Sequence, residues 1–105
     1  MGKVTWTERG VRNLRSIFEY IAVDSEIYAA RFIRSIIEAS EKLTSFPLMG
    51  RVAPEFAAYG LREVLFKNYR IVYRAVEDWS IIEIIAVVHA SRDLLKLARD
   101  EWELQ

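Results

Sequence analysis

Apolar residues recur at helical spacing in the first half of the chain and at strand spacing in the second. Val11, Leu14, Ile17, Phe18 and Ile21 share one face of a 3.6-residue period. Just ahead of them Thr7 can cap a helix, because its hydroxyl can accept from backbone N–H groups of the first turn. Gly10 weakens that turn slightly. Asp24 and Ser25 are the next candidate caps, and behind them Ala29, Ile33, Ile36, Ile37 and Leu43 form a second apolar stripe. Arg31, Arg34, Glu38, Glu41 and Lys42 give that helix its polar face. It should end before Phe46-Pro47, since proline disfavours a helical residue ahead of it. Two amphipathic helices with so short a link predict an antiparallel pair.

Strand patterns frame these helices. Lys3 to Trp6 is a short β-prone run. Pro47 to Gly60 holds two prolines and two glycines and reads as a loop, while its Phe56 and Tyr59 predict that it packs. Leu61 to Phe66 alternates weakly and turns at Lys67-Asn68. In Tyr69–Val76, Ile71, Tyr73 and Ala75 oppose Arg70, Val72 and Arg74. Glu77-Asp78 makes the next turn, and Ser80 to His89 is the most apolar strand, as expected near the middle of a sheet. Asp93 to Leu104 reads as a last helix with Leu94, Leu97, Ala98 and Trp102 on one face. The predicted order is β-α-α-β-β-β-α, an α+β fold in which a small antiparallel sheet packs against an N-terminal helical hairpin, one domain over residues 1–105.

Composition narrows the class. The 105 residues suffice for one core. A hydrophobic fraction of 52% beside 29% charged residues argues for a compact soluble domain. No apolar run approaches the ~20 residues of a membrane span, and the longest, Ile81 to Val88, is interrupted by Glu83. Met1 to Trp6 lacks the apolar core of a secretory signal. The absence of cysteine excludes disulfides and thiolate zinc sites and fits a reducing cytoplasm. The formal net charge is zero, yet Gly50–Val76 carries five basic residues against two acidic, and Asp93–Gln105 two basic against four acidic. A modest basic patch is therefore followed by an acidic tail.

Leu61 to Asp93 places arginines within strands and ends in the single histidine, His89. Metal-free RNA cleavage needs a base for the 2′-hydroxyl, cations for the phosphate and an acid for the leaving oxygen. Arg70 and Arg74 share a face two pleats apart, Arg62 is on the neighbouring strand, His89 can change protonation near neutrality, and Arg92 follows it. Tyr69 or Tyr73 could stack a base. Each residue also has a plainer role. His89 can be a hydrogen-bonded strand-end residue, Arg62-Glu63 can hold an ion pair to a neighbouring strand, and Arg70 and Arg74 can occupy a solvent face. Tyr20, Tyr28 and Phe32 suit core or partner contacts. No phosphate loop, Ser/His/Asp arrangement or metal-ligand cluster is present, so neither a cofactor nor a zinc site is expected.

Several segments together carry a family resemblance: Val4-Thr5-Trp6-Thr7 ahead of a helix; Phe18-Glu19-Tyr20-Ile21; Asp24 with Ala29-Ala30; Phe46-Pro47-Leu48-Met49-Gly50-Arg51; Leu61-Arg62-Glu63-Val64; Tyr69-Arg70-Ile71-Val72-Tyr73; and His89-Ala90-Ser91-Arg92-Asp93. In order and spacing they resemble the RelE/ParE superfamily of toxins from type II toxin–antitoxin, plasmid-stabilisation-like systems, from Val4 to about Leu95 and closer to the ParE side. The resemblance implies a small cytoplasmic toxin neutralised by a cognate antitoxin. RelE-like members cut messenger RNA in the ribosome; ParE-like members lack that chemistry and poison DNA gyrase. RNase members also keep an arginine at the position of Arg70. They often carry a tyrosine, or a histidine–tyrosine pair, where this chain has Ala90-Ser91-Arg92-Asp93, and a denser basic set.

The expectation is thus a growth-inhibiting, non-enzymatic toxin that binds gyrase through the hairpin surface, with Arg12, Arg31 and Arg34, and the C-terminal segment. The alternatives are a ribosome-dependent endoribonuclease with Arg62, Arg70, His89 and Arg92 as its catalytic set, and a relic that only holds antitoxin. The antitoxin would add a helix to an apolar groove or a strand to a free sheet edge. An exposed apolar patch, expected in so apolar a small domain, could also support a homodimer or a toxin–antitoxin hetero-oligomer.

Overall fold

Thr7 both starts the first helix and ties it to the sheet. A computed structural model describes residues 2–93 and Lys96. In it, α1 (Glu8–Ala22) follows β1 (Lys3–Trp6), and the Thr7 hydroxyl accepts from Gly10 N–H at 3.0 Å. The same hydroxyl lies 3.0 Å from the carbonyls of both Ile84 and Ile85. Ser25 caps α2 (Glu26–Glu41) by accepting from Tyr28 N–H. A 3₁₀ turn at Lys42–Thr44 finishes that helix ahead of Phe46-Pro47. Gly10 is buried, and a Cβ there would stand 3.2 Å from the Ile84 carbonyl and 3.1 Å from the Trp6 ring. Glycine therefore lets α1 lie close to the sheet. Val11, placed on the apolar stripe by periodicity, is 45% exposed.

The remaining strands are β2 (Arg51–Val52), β3 (Arg62–Phe66), β4 (Tyr69–Val76) and β5 (Ile81–His89), in the spatial order β1-β5-β4-β3-β2. Neighbours among β2 to β5 are antiparallel, but β1 pairs parallel to β5. The sheet is therefore mixed where an antiparallel one was expected. β1 and β5 are far apart in sequence, so no hairpin constrains their relative direction.

A bulge splits β5. Val72 faces Ala86 while Tyr73 faces Ile84, leaving Ile85 as the extra residue. As a result Ile84 and Val87 join the helix-side core with Ile17, Phe32 and Ile36. Consecutive Ile85 and Ala86 both face the other side, with Phe56, Leu61 and Val72. The Pro47–Gly60 segment, expected as a packed loop, is the cover of that second side. It contains the two-residue strand β2 and a 3₁₀ segment over Pro54–Tyr59. Phe56 is buried beneath it and Tyr59 is largely exposed. The β4–β5 turn runs from Glu77 to Ser80, with Glu77, Asp78 and Trp79 all at positive φ. The helix expected over Asp93 to Leu104 lies outside the described residues, apart from Asp93 and Lys96. There the Lys96 N–H donates to the Asp93 carboxylate.

Candidate functional site

Alternation along β4 sends Arg70, Val72 and Arg74 to the side away from the helices. The cover segment makes that side an interior at Arg70, so the solvent face that was one reading of the two arginines is not where Arg70 lies, while Arg74 stays partly exposed. Arg70 is 8% exposed and its partner Glu63, on β3, only 2%. Arg70 Nε donates to Glu63 Oε1 at 2.8 Å, and its Nη2 reaches both Glu63 and, at 3.5 Å, Glu55. The second oxygen of Glu63 accepts from Arg51 Nε at 2.6 Å. Two guanidinium groups and two carboxylates thus form one nearly neutral cluster that joins β2, β3, β4 and the cover. Arg74 pairs with Glu83 across the ladder at 2.7 Å.

Arg62 points the other way, to the helix side, opposite Tyr73. Its Nη1 donates to the Gly50 carbonyl at 2.8 Å. Tyr73 receives the Gly50 N–H at 2.9 Å and donates to the Pro47 carbonyl at 2.8 Å. Burial pushes the Tyr73 phenol above its ordinary value near 10, against smaller lowering by the Gly50 hydrogen bond and Arg62.

His89 pairs with Tyr69 at the opposite end of β4, four residues from Tyr73 and so ~13 Å along the strand. Its ring meets the Tyr69 ring edge-on at 5.4 Å, and burial, then the nearby Tyr20, raise the Tyr69 pKa. The backbone N–H of Ser91 donates to His89 Nδ1 at 3.1 Å, and Ser91 Oγ lies 2.8 Å from the same nitrogen. A backbone N–H can only donate, so Nδ1 accepts. The neutral imidazole therefore carries its proton on Nε2.

Of the four residues of the expected catalytic set, His89 and Arg92 come together. Arg70 faces the other side of the sheet, and Arg62 lies at the far end. Helix α1 stands across from them. An open groove of about 780 Å³ runs between this helix and the β5 exit, lined by Arg9, Arg12 and Tyr20 on one wall and Asn68, Tyr69, His89 and Arg92 on the other. Asn13 anchors the helix wall by accepting the Val87 N–H at 2.9 Å. Arg9, Asn13, Ser16 and Tyr20 follow helical spacing, a signal that was present in the sequence but was masked by the more conspicuous apolar stripe. Arg12 also stands 3.9 Å from Glu8, both largely exposed.

A second surface surrounds the hairpin end, where Tyr20, Val23, Ile27 and Tyr28 are all more than half exposed. Phe32, the third aromatic of the set at helical spacing, is instead buried against Phe66 and Tyr69. Among the described residues no helix is long and apolar enough to cross a membrane, and no three His, Asp or Glu side chains gather as a metal site.

Comparison with known proteins agrees with this architecture. The family model described as the ParE toxin of the type II toxin–antitoxin system, parDE, matches residues 4–94. Toxin RelE2 of Caulobacter vibrioides is 29% identical over 92 residues, covering 88% of this chain and 99% of its own. A putative toxin, Y4kP, of Sinorhizobium fredii is 33% identical over 90 residues, covering 84% of this chain and 88% of its own. Among solved structures, the chromosomal ParDE system of P. aeruginosa superposes with a TM-score of 0.72 at 18% identity, over 87% of this chain and 98% of that one. The RelBE2 toxin–antitoxin complex of Mycobacterium tuberculosis does so with a TM-score of 0.63 at 22% identity, over 84% and 96%.

Proposed function

The chain belongs to the ParE toxin family of type II toxin–antitoxin systems, and we propose that it arrests growth by binding DNA gyrase rather than by cutting RNA, and that a cognate antitoxin neutralises it. One observation carries the choice of mechanism. Arg70, the arginine at the position that RNase members of the superfamily keep, is buried and neutralised by Glu63 and Glu55. A cation so paired has little field left for a phosphate, and exposing it would leave Glu63 buried beside Arg51 alone. His89 adds to this, because its accepting nitrogen is already occupied by Ser91. Arg70 and His89 also lie on opposite sides of the sheet, so they do not converge on one scissile phosphate as cation and base would have to.

A toxin of this kind works through its surface. The hairpin end with Val23 and Ile27, flanked on α2 by exposed Arg31 and Arg34, has the apolar centre and basic rim of a protein-binding patch; Arg12, expected on that surface, lines the groove instead. The antitoxin partner is supported by the solved relatives, one of which is a toxin–antitoxin complex. Expression of the chain alone from a tightly controlled promoter, with DNA, RNA and protein synthesis followed separately by pulse labelling, tests the reading. An early fall in DNA synthesis with translation intact is expected. An early collapse of translation with shortened messages would replace it by the ribonuclease reading, and harmless expression would point to a relic.

A further inference from the structure

The groove between α1 and the β5 exit is not used by the gyrase reading, and its chemistry is distinctive. Its described lining carries Arg9, Arg12, Arg92 and the Nε2–H edge of His89, together with the amides of Asn13 and Asn68, and no described lining residue is acidic. In a chain of zero net charge, this is a local concentration of donors and positive charge. Two aromatic rings stand among them. Tyr20 is 78% exposed, and Tyr69 lies across the groove, half-buried between the Phe32 and His89 rings. Arg9 and Tyr20 are eleven residues apart on α1, so the helix wall is ~16 Å long. That is the length of four or five nucleotides at the ~3.4 Å stacked rise of a strand.

We propose that this groove binds a short single strand of nucleic acid without cutting it, the arginines tracking phosphates and the open Tyr20 ring receiving a base. Arginines beside open aromatic faces are the combination by which single strands are held. An acidic peptide would use the charges and leave the ring idle. A duplex keeps its bases stacked inside and would likewise leave it idle. The site lies on the opposite side of the sheet from Arg70, and its occupation is independent of the gyrase reading.

The test is fluorescence anisotropy of the full chain with a labelled twelve-nucleotide oligothymidine, and with its oligouridine counterpart, from 50 to 200 mM salt. Saturable binding that weakens with salt is expected. Arg12→Ala with Arg92→Ala should lower the log–log salt slope by ~1.4, about 0.7 for each lost phosphate contact. Tyr20→Ala should weaken binding about fivefold or more, as loss of one stacked base does, whereas Arg34→Ala on α2 should change nothing. No binding at 50 mM salt would overturn the proposal. So would an unaltered slope in the double variant, equal affinity for the duplex, or displacement by polyglutamate as effective as by unlabelled oligonucleotide. None of these outcomes bears on whether DNA synthesis falls first in cells. An oligouridine that is bound and shortened would overturn the absence of cleavage.

Discussion

Glu63 on β3 and Arg70 on β4 meet on the side of the sheet away from the helices, both almost fully buried, and Arg51 of the cover segment closes on the same carboxylate. The pair therefore fastens the cover as much as it joins two strands. Removing one partner leaves the other charge buried. Glu63→Gln should cost on the order of 3–5 kcal/mol, while joint replacement of Glu63 and Arg70 by apolar residues of similar size should cost less than the sum of the single changes. Urea unfolding of the two single variants and the double variant measures this. Additive losses would mean that the pair is not coupled.

Tyr73 provides a pH signature. Its phenol is raised above its value in the unfolded chain, chiefly by burial. Above pH ~10 the unfolded state releases this proton while the folded state still holds it, so the unfolded state binds fewer protons and stability falls as pH rises. The contribution is complete below the unfolded pKa and is lost as pH climbs towards the folded one. Tyr69, also raised by burial and by Tyr20, acts in the same direction. Urea midpoints measured from pH 8 to 11 should decline at the upper end, less steeply in Tyr73→Phe. That variant should also start about 1–3 kcal/mol lower, because the Gly50 N–H and Pro47 carbonyl lose their partner.

Gly50 has no room for a side chain. A Cβ there would stand 2.5 Å from the Glu63 carbonyl and 2.8 Å from the Tyr73 ring and hydroxyl. Gly50→Ala should displace the cover or the phenol and cost about 1–3 kcal/mol. A melting temperature equal to the parent's would show that the segment yields freely.

The Thr7 hydroxyl joins the first turn of α1 to the carbonyls at the β5 bulge. Thr7→Val, nearly the same in shape, should cost about 1–2 kcal/mol as a lost cap. Amide exchange should quicken first in the opening turn of α1. Uniform quickening throughout the chain would mean that the cap acts only through global stability.

On the proposed mechanism, His89→Ala retains growth arrest on induction. Ile27→Glu, at a position 69% exposed, should abolish arrest while leaving the thermal midpoint within a degree or two. Colony counts after induction, beside melting curves of the purified variants, check both. Loss of arrest in a folded His89→Ala protein would count heavily against a non-enzymatic toxin.

Local signals in the chain sufficed for much of the fold. Periodicity places α1 and α2, Thr7 and Ser25 cap them as their side chains predict, and alternation in Tyr69–Val76 separates the Ile71, Tyr73, Ala75 face from the Arg70, Val72, Arg74 face. These features depend on residues a few positions apart, so one sequence carries them. The motif order from Val4 to Asp93 likewise carried the toxin family. Long-range pairing was decided only in three dimensions. The extra residue in β5 lies inside an unbroken apolar run, where a change of face leaves no mark, and the parallel pairing of β1 depends on a strand over seventy residues away. Arg70 shows the consequence for function. In sequence it is a candidate catalytic cation. Only the folding of Pro47–Gly60 across that side of the sheet brings Arg51 and Glu55 to the Glu63–Arg70 pair and turns an arginine on an open strand into part of a closed ion cluster. The groove arises in the same way, since α1 and the β5 exit contribute walls that no sequence spacing relates.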